Sequence, residues 1–158
     1  MKSPLFSRFI PLSLLWSSLL FIGGFSLACG GPLGLFPGGK LAGSVQPPPA
    51  NWAGAGEYGL IELETRPDEP YSVNIAYTVV DGDLYANAGD TETQWVKNIA
   101  ADPRVLIRMD DVIYPLTAER VTDADEIARF GRAWTRQGYF YRDPAELGEV
   151  WVYRLVPR

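Results

Sequence analysis

The stretch DTETQWVKNIAADPRVLIRM, residues 90–109, sets Thr91, Thr93 and Lys97 at the opening of a helix. The first N–H groups of a helix have no partner inside it, and its dipole favours negative charge, so hydroxyls and an ammonium at that place suit an anion. Two readings are open: ordinary helix-to-strand punctuation, or the border of a pocket for a phosphate-bearing cofactor. Lys97 is one of three lysines. Other chemistries fall away by composition. The chain has no histidine, which excludes His-based acid–base catalysis, a Ser–His triad and typical zinc sites. Asp81 with Asp83, and Asp110 with Asp111, stand at turns, where Asp serves backbone hydrogen bonds, so no metal site is expected. The run GGPLGLFPGG is not set between a strand and a helix and is no phosphate loop.

The elements that position these residues read as strands with two helices. EYGLIELET (57–65) alternates and breaks at Pro67, YSVNIAYTVV (71–80) alternates throughout, and DLYANA (83–88) follows Asp81-Gly82, a strong hairpin signal. In the second run Val73, Ile75, Tyr77 and Val79 share one face, while Ser72, Asn74, Ala76 and Thr78 share the other. That small polar face is either solvated or the floor of a ligand cleft. Thr91 with Gln94 forms a capping-box pattern that opens a helix over 91–101, its stripe of Trp95, Val96, Ile99 and Ala100 is apolar, and Asp102-Pro103 stops it. RVLIRM and VIYPLTAERV follow as strands around Asp110-Asp111, with Pro115 marking an edge or bulge. A second helix over 122–136 is expected to be capped by Thr122, with Ala124, Ile127, Phe130 and Trp134 inward and Arg129, Arg132 and Arg136 on a solvated face. After the aromatic GYFYRDP, EVWVYRLVP is the last strand. Six strands and two helices make a mainly β fold, a small antiparallel barrel.

The N-terminus bears on which cofactors are within reach. Residues 9–27 carry no charge and follow Lys2 and Arg8, the pattern of an export signal over residues 1–28. FSLAC is similar to a lipobox, which makes Cys29, the sole cysteine, the expected lipidation site; plain cleavage before Cys29 and an uncleaved anchor are the alternatives. Each places the domain outside the cytoplasm, and lipidation would hold it on the cell membrane or the outer membrane. Residues 29–50 read as a lipidated end and a tether, because six Gly and five Pro fall between 30 and 50, although KLAGSV has the makings of a short strand. Residues 51–158 form the expected single domain. Without Lys2 and Arg8 the chain has 12 basic against 19 acidic residues, which does not suit nucleic acid.

Strand, Asp-Gly hairpin, strand, polar loop and then WVKNIAADPRVLI resembles the split-barrel superfamily of pyridoxamine-phosphate-oxidase-like flavoproteins and deazaflavin-dependent nitroreductases. The nitroreductases are matched most closely, through Trp95, Asn98, Ile99, Ala101, Pro103 and Val105. The resemblance implies a six-stranded antiparallel split β-barrel, a homodimer and cofactor sites at the subunit boundary. It also implies FMN or a deazaflavin as cofactor, with a chain that binds neither as an equal alternative. The flavin branch carries a Ser-Arg-Lys triplet where this chain has Thr93, Gln94 and Trp95. What remains here for a phosphate is the helix start, Thr91, Thr93, Lys97 and Arg66.

Two functions follow. One is an exported, lipid-anchored oxidoreductase of the nitroreductase or quinone-reductase type, with Arg66, Asn74, Tyr77, Thr91, Thr93 and Lys97 on the cofactor and Trp134, Tyr139 and Tyr141 walling the substrate. No catalytic residue is assigned. A chain exported unfolded acquires any cofactor outside, and DGDLYAN lacks the Thr or Ser that covalent flavin attachment needs. The other is a binding protein for an apolar small molecule such as a fatty acid, suggested by an aromatic-rich cleft with few charges.

Overall fold

The computed structural model describes residues 30–137 and 150–158. Its strands are β1 (Ser44–Val45), β2 (Tyr58–Thr65), β3 (Tyr71–Val80), β4 (Asp83–Ala88), β5 (Arg104–Met109), β6 (Val112–Arg120) and β7 (Trp151–Pro157), and its helices are α1 (Gln94–Ala101) and α2 (Ala124–Arg136). The sheet order is β1-β6-β5-β2-β3-β4-β7, and a further pairing of β6 with β7 closes six strands into a barrel. All pairings within the barrel are antiparallel, while β1 is an added strand, parallel to β6. The expected six-stranded split barrel with two helices is therefore the observed fold.

Local chemistry accounts for the turns. Asp81 and Gly82 both take positive φ (54° and 92°), the twist a two-residue hairpin between β3 and β4 requires, and Asp110 does the same (51°) between β5 and β6. Pro115 costs no ladder bond, because β6 pairs with β1 only at Val112 and Ile113 and with β7 only from Leu116 onward, leaving Pro115 between the two partners. The barrel interior is filled by Leu63, Leu84, Ile107 and Leu116, each 0% exposed. Trp95 joins this core, edge-on to Tyr153 at 5.7 Å. A second cluster under α2 holds Tyr85, Val121, Phe130, Trp134 and Val152.

Both helix starts depart from the expected caps. Helix α1 begins at Gln94 with Thr93 as its N-cap, and no side chain caps it. The Thr91–Gln94 capping box does not form because Asp90 competes for the chain: its Oδ1 accepts the Glu92 N–H at 2.8 Å, while the Gln94 amide donates to Asn98 Oδ1 at 2.8 Å. Helix α2 is capped one residue later than expected, by Asp123, whose Oδ1 accepts the Glu126 N–H at 2.8 Å. A carboxylate is the stronger acceptor at that place and complements the dipole.

The Gly/Pro segment is laid on the barrel. The Ser44 N–H donates to Asp111 O and the Gln46 N–H to Ile113 O, both at 2.9 Å, Gly38 and Ser72 bridge β3, and Leu41 is only 4% exposed. KLAGSV does supply the short strand β1. Gly43 lets the segment pass: a Cβ there would lie 2.7 Å from Asp111 O. A composition expected to give a free tether thus gives a strap over residues 30–46, because backbone groups, which Gly leaves open to close approach, make the contacts.

Candidate functional site

β4 pairs with β3 only from Tyr77 to Val80, so Tyr71–Ala76 of β3 is left by β4 where the barrel is split, with Ser72 bridged instead to Gly38 of the strap. The head of α1 and the turn at residues 33–36 of the strap close on that stretch, leaving a cleft of about 220 Å³ lined in part by Phe36, Asn74, Thr93, Gln94 and Trp95. A second cleft, about 470 Å³, lies on the outside of β2 and β3 beside the end of α2 and is lined by Tyr58, Leu60, Ala76, Tyr77, Trp134 and Gln137. Gln137 donates to Thr78 Oγ1 at 2.9 Å, which pins the end of α2 to β3 beside this second cleft.

Of the expected cofactor residues, the structure brings Asn74 and Thr93 together at the smaller cleft. Neither presents an idle group. The Asn74 amide donates to Gly34 O at 2.9 Å and Pro32 O at 3.5 Å, and the Thr93 hydroxyl donates to Asp90 O at 3.2 Å. Lys97 is ion-paired with Glu92 at 3.1 Å, both side chains being largely exposed. Arg66 serves its own turn, 3.3 Å from Glu69 and 5.6 Å from the Tyr71 ring. Thr91 is half-buried and precedes the helix without lining either cleft.

Tyr77 turns into the core, 7% exposed, and its phenol donates to Ala55 O at 2.5 Å. Burial, with the Asp110 charge adding to it, raises the phenol pKa, so the hydroxyl stays a neutral donor. Trp134 does wall the larger cleft, although at 3% exposure it is mainly a core residue. Tyr139, Tyr141 and Cys29 lie outside the described residues.

The sequence reading took in Ser72 and Asn74 but left unassigned the rest of the polar row beneath the strap. Glu62, Glu64, Ser72, Asn74 and Arg108 stand on the outer face of β2, β3 and β5, as the register pairs Glu62 with Asn74 and Arg108, and Glu64 with Ser72. Glu64 Oε2 accepts the Leu41 N–H at 2.5 Å in a buried position. Arg108 donates to Glu62 Oε1 at 2.5 Å and to Ala42 O at 2.9 Å. The fit is incomplete, since Glu62 Oε2 and Ser72 Oγ are buried without a partner. Glu62 and Glu64 alternating with Ile61 and Leu63 along one strand were the signal: two carboxylates on the face opposite the core. Deeper, Gln94, Asn98, Thr65 and the Tyr71 carbonyl form a hydrogen-bonded chain that ties α1 to β2, with Asn98 Nδ2 2.9 Å from Thr65 Oγ1.

Residues 70–147 match the family model described as F420H(2)-dependent quinone reductase. Among solved structures, a Listeria innocua protein assigned as a pyridoxamine 5'-phosphate oxidase is similar with a TM-score of 0.51 at 18% identity, over 63% of this chain and 83% of that one. A conserved hypothetical protein from Mycobacterium tuberculosis is similar with a TM-score of 0.50 at 23% identity, over 63% of this chain and 72% of that one. At these identities the likeness is one of fold. No curated protein matches the chain in sequence.

Proposed function

We propose that this chain, a split barrel similar over residues 70–147 to the F420H(2)-dependent quinone reductases, is an exported, membrane-anchored protein of the deazaflavin-dependent oxidoreductase type. The observation that carries the reading is the extent of that match, which runs from the start of β3 through α2 and so includes the split edge, the head of α1 and the wall of the larger cleft. A deazaflavin supplies hydride chemistry when bound, and the protein's part is to hold and orient it.

The head of α1 does not fit the anionic arm of such a cofactor. At the head of α1, Asp90 and Glu92 face a single ammonium, Lys97, which Glu92 already pairs. The cleft there, about 220 Å³, is below the roughly 300–1,000 Å³ of small-molecule sites. No hydride step is therefore assigned to any side chain, and the proposed homodimer is the arrangement in which a second copy would complete the site. The larger cleft, by contrast, suits a planar or chain-like apolar molecule, through the Trp134 ring, Leu60 and Ala76, with Gln137 at its polar side. That cleft favours a second reading, a non-catalytic binding protein for an apolar ligand such as a fatty acid.

Titration of the full chain with a deazaflavin, FMN and a long-chain fatty acid, followed by cofactor absorbance and Trp fluorescence, separates the two. Saturable deazaflavin binding is the expected result, and binding of the fatty acid alone would replace the first reading with the second. Attachment through Cys29 is tested by labelled fatty acid: incorporation into wild type and none into Cys29→Ser is expected. An exported chain that takes up no label would return Cys29 to a residue beside a cleavage site.

A further inference from the structure

Three large apolar side chains crowd one turn of the strap. Leu33 is 80% exposed, Leu35 101% and Phe36 76%, and residues 30–39 carry no charge. Scattered exposed apolar residues need no explanation, but three within four positions make a patch of the kind that marks a contact surface. The turn is also held in shape. Leu33 and Phe36 exchange backbone hydrogen bonds of 3.1 and 2.9 Å, Gly34 turns at φ 59°, and the Asn74 amide fastens Gly34 O to the barrel at 2.9 Å. The Leu33 and Phe36 backbone groups and the Gly34 carbonyl are thus answered within the protein while the three side chains stay exposed.

The chain just upstream names the occupant. Residues 9–27 are an uncharged apolar run, and Leu33 follows Leu27 by only six positions, an extended reach of roughly 20 Å at most. A bilayer with its headgroups is about 40–45 Å thick, so a run that enters it keeps the turn within reach of its surface. We propose that the turn at residues 33–36 docks into the surface of the lipid bilayer that holds the N-terminal end of the chain. Leu33, Leu35 and Phe36 sink to the boundary of headgroups and acyl chains, as the apolar face of an interfacial helix does. A docked turn fixes which side of the barrel faces the membrane. The inference rests on the membrane placement proposed above, whether through an acylated Cys29 or through a retained apolar run over residues 9–27.

The test uses the full chain with Cys29→Ser, which removes the only cysteine, and a nitroxide at Leu35→Cys or, in a second protein, Leu33→Cys. Each is reconstituted through its own apolar run into phosphatidylcholine vesicles, and Asp125→Cys on the exposed side of α2 is the control. The expected result is an oxygen-to-nickel-chelate accessibility ratio several-fold higher at positions 33 and 35 than at 125. Equal ratios overturn the proposal. So does spin–spin broadening at position 35, which would assign the turn to a second copy of the chain. Vesicle flotation reads the membrane placement separately: a chain that does not float with the vesicles removes both that placement and the docking.

Discussion

The outer face of β2 and β3 and the head of α1 border the same small cleft, and they handle their polar groups in opposite ways. Along the strands, Glu64, Asn74 and Arg108 reach across to the backbone of a segment far away in sequence. At the helix head, Asp90, Glu92, Thr93 and Lys97 answer one another within a few residues. The first arrangement holds tertiary structure, and removing a member leaves a buried group without a partner. The second is local, exposed and self-neutralising, so removing a member costs little. Polar side chains beside a cleft become ligand groups only after their existing partners are counted.

The comparison can be broken from several sides. The largest effect is expected outside both regions, at Trp134→Ala, which empties the core under α2. A loss of about 3–5 kcal/mol is expected from chemical denaturation, as for buried aromatic truncations. Retained stability with lost binding of an apolar ligand would instead make Trp134 chiefly a cleft wall.

Glu64→Ala removes the acceptor of the buried Leu41 N–H and is expected to cost about 1–3 kcal/mol. Hydrogen exchange should quicken at Leu41, Ser44 and Gln46 while the amides of β5 stay protected. Uniform acceleration across the barrel would mean that the strap and the barrel form one cooperative unit. Asn74→Ala, which loses one neutral hydrogen bond to Gly34 O, is expected to cost about 0.5–1.5 kcal/mol, confined by the same measurement to residues 33–38.

Lys97→Ala should change stability by no more than about 1 kcal/mol, the range of exposed ion pairs. It should also leave the affinity for anionic ligands unaltered. A drop in deazaflavin affinity in Lys97→Ala would restore the helix head as an anion site. The smallest effect concerns the exit of α1. Hydrogen bonds from the Arg104 side chain and then its backbone hold the Asp102 carboxyl at a pKa of about 2. Because the folded value is depressed, this contribution is present above the ordinary carboxylate range and is lost as pH falls through about 2. A carboxyl titration by NMR that finds Asp102 at an unshifted value would remove the fork.

The strands were legible because their causes are local. Alternation set which residues share a face, and Asp81-Gly82 and Asp110-Asp111 punctuated it. The same alternation grouped Tyr77 with Val73, Ile75 and Val79; Tyr77 enters the core, and the other three pack against it partly buried. The strap was hidden for a physical reason. Its hydrogen bonds use main-chain N–H and C=O groups, which every sequence possesses, and its glycines look alike in a coil and in a close crossing. The caps failed more narrowly, since Thr91 and Thr122 were sound N-cap types overtaken by the carboxylates of Asp90 and Asp123. Half of the small cleft was visible in advance through Asn74 and Thr93. The other half is built by residues 34–37, which no periodicity announces.

The closure of the barrel bears on the order in which the molecule can assemble. The pairs β2–β3, β3–β4 and β5–β6 meet through short connections and β5 returns to β2 across β3, β4 and α1, but β7 must find both β4 and β6, and Ala88 meets Trp151 across all of α1, β5, β6 and α2. Closing so long a loop is an entropic cost met before any reward, which places it late in assembly. The strap rests on β2, β3 and β6, all earlier in the chain than β7. A chain emerging N-terminus first on the far side of a membrane would therefore have the whole seat of its strap in hand while its barrel was still open.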